Sequence, residues 1–167
     1  INSENDRKYV IPSAPGKRSA EDIKITDLLY RCYETASKGE DISELFSKIT
    51  ERYNGIINDL GLDLSLDEEF EVIRRSMIHK AGRDYAASRG EYLSGIVLAN
   101  ALGYKFIDAA DIIFFSEDGT LDTERTNEAV SEILKKYENA VIPGFYGSMP
   151  NDTIKTFSRG GSDITGS

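Results

Sequence analysis

The order of apolar runs along this sequence predicts an α/β fold built on a largely parallel sheet. Two observations carry that expectation. Short strand-forming runs alternate with long stretches at helical spacing, giving the order strand, helices, strand, helix, strand. The strand-like runs also feed into glycine-bearing turns, at Ser13-Ala14-Pro15-Gly16, Pro143-Gly144-Phe145-Tyr146-Gly147-Ser148 and Ser158-Arg159-Gly160-Gly161-Ser162-Asp163. Ligands of such sheets bind beyond the carboxyl ends of the strands, which gathers these three turns at one edge.

Lys8-Tyr9-Val10-Ile11 reads as the first strand, and Pro12 ends it because proline cannot donate in a ladder. In the loop that follows, Gly16 with Lys17 and Arg18 suits a phosphate or carboxylate, unless the two cations are simply solvated. A helix starts near Thr26, with Leu28, Leu29, Cys32 and Tyr33 on one face. Asp41 and Glu44 have the spacing of a capping box for a second helix, whose apolar face runs through Leu45, Ile49, Tyr53 and Ile57 to Gly61. Ser65 and Glu68 repeat that spacing ahead of Phe70, Ile73 and Met77. These two helices, in a helical region at about 36–80, read as scaffold. His79, at the end of the second, is a favourable charge near a helix C-terminus or merely exposed.

A long helix runs from Arg83 to Leu102 and stops at Gly103. Gly90 in its first half costs about 1 kcal/mol relative to alanine. Either something approaches the backbone closely there, or Glu91 faces solvent beside a packing glycine. Phe106-Ile107-Asp108 and Ile112-Ile113-Phe114-Phe115 read as short strands, and Asn127 to Tyr137 as a helix. Val141-Ile142 and Thr153–Phe157 are the last apolar runs.

Composition sets outer bounds. At 167 residues, 40% hydrophobic and 29% charged, the chain is one soluble globular domain or a large part of one. Its net charge of −9 sits in the middle. Residues 36–80 hold 6 basic against 10 acidic side chains and residues 81–140 hold 6 against 11, whereas 1–35 and 141–167 are balanced. Such acidity argues against nucleic acid or an anionic membrane as partner. No apolar run approaches membrane-spanning length, and no signal peptide is visible. A single cysteine, Cys32, and a single histidine, His79, leave no disulfide framework or transition-metal set. A cytoplasmic location follows. The acidic residues between 108 and 124 lack the spacing of a calcium loop and read as a solvated rim, so no metal ligand is assigned. The chemistry expected of the last turn is anion handling, with Arg159 as a charged fork, Ser162 as a hydroxyl, and main-chain N–H groups at Gly160 and Gly161.

Four segments, in order, resemble the catalytic domain of the aspartate kinase family within the amino-acid-kinase superfamily. They are Ser13-Ala14-Pro15-Gly16 with Lys24–Leu29, Ser88-Arg89-Gly90-Glu91-Tyr92-Leu93-Ser94, Phe106-Ile107-Asp108-Ala109 with Asp111-Ile112-Ile113, and the Pro143 turn with the Ser158–Asp163 run. The resemblance implies a three-layer αβα sandwich with a mostly parallel central sheet. It also implies ATP-dependent phosphorylation of the side-chain carboxylate of L-aspartate, with ATP and Mg²⁺ as cofactors. By motif, Arg159 meets the α-carboxylate of aspartate and Glu91 accepts its α-ammonium. Thr26, Phe145, Gly160, Gly161 and Ser162 complete the substrate pocket. Ser13 lies near the phosphates, and Asp163 orients the phosphate-binding lysine of the family.

The family's lysine–phenylalanine–glycine–glycine–serine strand and loop are not in the sequence, nor is most of the nucleotide site. The resemblance therefore implies residues 1–167 to be part of a catalytic domain, inactive alone. Open sheet edges predict self-association into a homo-oligomer. Two other readings share these features: a sister kinase acting on glutamate or acetylglutamate, and a non-catalytic module on a kinase-like scaffold.

Overall fold

The computed structural model describes residues 8–157. Three parallel strands, β1 (Tyr9–Val10), β2 (Lys105–Phe106) and β3 (Ala140–Val141), pair in the order β1-β3-β2. Tyr9 and Lys105 both pair with Ala140, and Val10 and Phe106 both pair with Val141. The central strand is fully buried at Ala140 and Val141, as befits a strand covered on both faces. The α/β class with a parallel sheet is thus present.

Four helices fill the connection from β1 to β2: α1 (Ile25–Ser37), α2 (Ser43–Asp59), α3 (Asp67–Ile78) and α4 (Arg83–Leu102). Their buried residues recur three and four apart, Leu28, Leu29 and Cys32 on α1, Phe46, Ile49, Tyr53 and Ile57 on α2, Phe70, Ile73 and Met77 on α3. With Leu93 and Val97 of α4 they form one core. The Cys32 thiol has no exposed surface, and burial pushes its pKa up to about 12.

Neither capping box forms. Asp41 accepts the N–H and the hydroxyl of Ser43, at 3.0 and 2.6 Å, one residue ahead of the cap position of α2. Ser65 engages Asp67 in the same local way. Each short side-chain turn is closed before its helix starts. Glu44 and Glu68 are left exposed in the first turns, where their charge suits the helix dipole. α4 has the bounds the sequence predicts, because Gly103 adopts φ +69° and ends it.

A further helix, α5 (Thr123–Lys136), links β2 to β3. It begins earlier than its apolar spacing suggested because Asp122 caps it, accepting the N–H of Arg125. The run Ile112–Phe115 is not a strand. It follows a 3-10 turn (Ala109–Asp111), and Phe114 and Phe115 make only single bridges, to Ser148 and Leu121. The Thr126 hydroxyl takes the Phe114 N–H at 3.0 Å, which removes it from any ladder. The run is nonetheless apolar for a reason: Ile112, Ile113 and Phe115 join Ile107, Ile142 and Tyr146 in a second core. An antiparallel hairpin of β4 (Tyr146–Ser148) and β5 (Ile154–Thr156) packs beside it. Among the described residues no helix is long and apolar enough to cross a membrane.

Candidate active site at the carboxyl edge of the sheet

The carboxyl ends of β1, β2 and β3 run into Pro12–Pro15, Ile107–Asp108 and Pro143–Phe145. α4 lies across these ends with two glycines in contact. A Cβ on Gly95 would stand 2.8 Å from Phe106 and 2.9 Å from Pro143, so the helix backbone rests on β2 and on the turn after β3. A Cβ on Gly90 would stand 2.7 Å from Cβ of Ala14 and 3.4 Å from side-chain carbons of Ile25 and Leu29. Close approach is therefore the reason for Gly90. The same carbonyl region is held from behind, where the Tyr53 hydroxyl donates to the Gly90 carbonyl at 2.7 Å and lies 3.2 Å from Oγ of Ser94.

Glu91 is buried, with 7% of its surface exposed, so the solvent-facing alternative does not hold. Its Oε1 accepts the N–H of Ala14 at 3.3 Å, while Oε2 is buried with no partner. Burial pushes the carboxyl up to about 6, against weaker opposing pulls from the N–H groups of Glu91 itself and Ala14 and from the Arg89 charge. An ionised carboxylate half-satisfied in this way is costly, and a cationic hydrogen-bond donor is the group that would complete it.

Thr26 is half-buried at the start of α1, beside Ile25, whose N–H reaches the Pro15 carbonyl at 3.5 Å. That bond ties α1 to the same loop that meets Glu91. Ser13 is exposed and lines a cleft of about 220 Å³ with Tyr53 and Ser94. Phe145 is half-buried at φ +81°, a left-handed conformation that costs a non-glycine residue about 1–2 kcal/mol. Its carbonyl accepts the N–H of Phe157 at 2.9 Å. The structure thus packs Ala14 of the Ser13 loop and Ile25 and Leu29 of α1 against Gly90, one residue before Glu91, and sets Pro143 of the Phe145 turn against Gly95. Arg159, Gly160, Gly161, Ser162 and Asp163 lie outside the described residues.

No protein-family model matches the sequence. Aspartokinase 3 of Bacillus subtilis (strain 168) is 31% identical over 181 aligned positions, which take in 100% of this chain and 40% of that protein. A crystal structure of Clostridium acetobutylicum aspartate kinase superposes with a TM-score of 0.96 at 48% identity, over 99% of this chain and 38% of that one. The chain is an aspartokinase homologue. It spans about 40% of the length of these relatives. The fold likeness extends to E. coli aspartokinase III in complex with aspartate and ADP, with a TM-score of 0.75 at 22% identity, over 99% of this chain and 40% of that one.

In this aspartokinase homologue the site edge contains groups that sequence reasoning passed over. The Arg89 guanidinium is buried between the rings of Tyr85 and Tyr92, at 4.6 and 4.4 Å from their centroids, with Tyr146 at 5.3 Å. Its Nε donates to Oγ of Ser88 at 3.0 Å, and its Nη2 has no hydrogen-bond partner. The signal was present, since tyrosines four before and three after Arg89 share its helix face. Asp108, read from the sequence as part of a solvated rim, accepts the Tyr146 hydroxyl at 2.7 Å and the Ala110 N–H at 3.0 Å. Arg18, largely exposed, pairs with Asp22 of the same loop through bonds of 2.9 and 3.3 Å. Among the described residues no group of three His, Cys, Asp or Glu side chains is placed to hold a metal ion.

Proposed function

We propose that this chain supplies the aspartate-binding part of an aspartate kinase. The reaction moves the γ-phosphoryl group of ATP to the side-chain carboxylate of L-aspartate. It yields 4-phospho-L-aspartate and ADP, the first step toward lysine, threonine and methionine. The observation that carries the reading is Glu91: a buried carboxylate at the carboxyl edge of the sheet, bound on one oxygen and unpaired on the other. The similarity to the Clostridium aspartate kinase, at 48% identity, supports it.

In this reading Glu91 takes the α-ammonium of aspartate and Arg159 its α-carboxylate, in a pocket completed by Thr26, Phe145, Gly160, Gly161 and Ser162. Ser13 serves the phosphate end, and Asp163 orients the phosphate-binding lysine. The acceptor carboxylate, with an ordinary pKa of about 3.9, is ionised near neutral pH and needs no general base. One carboxylate oxygen forms a bond to the γ-phosphorus as the bond to the ADP oxygen breaks. The protein's task is positioning and charge neutralisation. Mg²⁺ bound with ATP would supply charge neutralisation at the phosphates, and no acidic cluster of the described residues is assigned to it. The reading also takes residues 1–167 as part of one three-layer αβα catalytic domain with its helical region at about 36–80. It further takes the protein as cytoplasmic and self-associating through open sheet edges.

The test is steady-state kinetics of the full-length protein with aspartate and with glutamate. Preference for aspartate, and a Glu91→Ala variant whose KM for aspartate rises at least tenfold while the KM for ATP holds, are expected. Equal use of glutamate, or an unchanged aspartate KM, would overturn the assignment.

A further inference from the structure

Asp84 and Glu91 stand seven residues apart on α4, two turns along one face. Each carboxylate reaches off the helix and takes a main-chain N–H from a distant segment. Glu91 Oε1 holds Ala14 at 3.3 Å, and Asp84 Oδ2 holds Thr156 at 3.0 Å, across 72 positions of sequence. Thr156 is the last residue of β5, and the next N–H, that of Phe157, goes to the carbonyl of Phe145 at 2.9 Å. One helix face therefore grips both the loop after β1 and the strand that closes against the Phe145 turn.

We propose that Asp84 is a positioning residue for the amino-acid site, seating the end of β5 on α4 in register with Glu91. This rests on the aspartate-binding reading above. The Thr156 N–H lies at the edge of a two-stranded sheet, and a charged acceptor there makes a stronger anchor than a neutral one. The carbonyl of Phe145, a residue held at positive φ, accepts its bond from the residue next to that anchor. In the sequence, Ser158 and Arg159 follow Phe157. A competing role is available, because Asp84 lies in the first turn of α4 and favours the helix dipole. That role would act on stability and leave substrate affinity alone.

Kinetics of Asp84→Ala, Asp84→Asn and Asp84→Glu in the full-length protein, with Glu91→Ala alongside, separate the two. Asp84→Ala is expected to raise the aspartate KM about tenfold, with kcat down less than threefold and the ATP KM within twofold. Asp84→Asn, which keeps an acceptor oxygen, should return the aspartate KM to within about threefold of the parent. Should the alanine variant not fold, Asp84→Glu carries the test, since it retains charge but moves the acceptor outward by one methylene and should give the same split. An unchanged aspartate KM in folded Asp84→Ala or Asp84→Glu, or no rescue by asparagine, overturns the role of Asp84 alone if Glu91→Ala still raises that KM. If Glu91→Ala leaves it unchanged, both readings fall.

Discussion

Tyr53 and Gly90 are joined by a 2.7 Å hydrogen bond from phenol to main-chain carbonyl. The bond lands one residue before Glu91, so α2 steadies the helix at the point where the site carboxylate leaves it. The phenol is fully buried, and burial pushes its pKa up. Tyr53→Phe removes a bond to Gly90 and leaves Oγ of Ser94 short of a partner. The expected cost is about 1–2 kcal/mol in chemical denaturation, with a two- to fivefold loss of aspartate affinity.

Gly90→Ala drives a methyl group into Cβ of Ala14, 2.7 Å from where it would sit. Both groups are carried on backbone with little room to turn away. The variant should lose about 1–3 kcal/mol of stability. Because Ala14 carries the N–H that binds Glu91, the aspartate KM should rise more than the ATP KM. Thermal unfolding and initial rates check the two parts.

Glu91 ties stability to pH. Its folded-state pKa is raised from an ordinary 4.5 to about 6, so the folded protein binds this proton more tightly than the unfolded chain does. The penalty for a buried charge is absent below the ordinary value and complete above the folded one, amounting to roughly 2 kcal/mol. Lowering the pH from about 8 to about 4 should therefore stabilise the parent relative to Glu91→Gln by that amount. Urea melts of the two proteins across pH measure the difference. A gap that does not change with pH would rule out the shift. Aspartate binding should follow the opposite course and weaken as the pH falls through about 6, because a protonated Glu91 no longer attracts an ammonium.

Gly147→Ala is expected to be the most damaging of these substitutions. Its methyl would overlap the main-chain oxygen of Ile113 and lie 2.7 Å from Ile113 Cγ2. Backbone cannot yield as a flexible side-chain tip can. A loss of about 3 kcal/mol or more, or failure to recover folded protein, is the expected outcome by circular dichroism.

Periodicity made the helices legible, and where it was joined to a terminator the boundary came with it, as at Arg83 and Gly103. Ile112–Phe115 misled because a buried apolar run carries no period of its own. Here the Thr126 hydroxyl and a 3-10 turn decide its shape, and both act from outside the run. The capping boxes failed for a local reason, since Asp41 and Ser65 found partners two residues on. At the site, Gly90 beside Glu91 announced itself as an anomaly in a helix. Asp84 and Tyr53 did not, because an aspartate in a first turn and a tyrosine on an apolar face are ordinary. Only the pairing of segments 72 and 37 positions apart gives them meaning.

The single sulfhydryl has a practical consequence. Cys32 is sealed under the packing of α1 against its neighbours and stays protonated across the working pH range. Alkylating reagents can reach it only when that helix lifts away. The rate of labelling would then report the opening of the layer that carries Thr26, with no probe added to the chain.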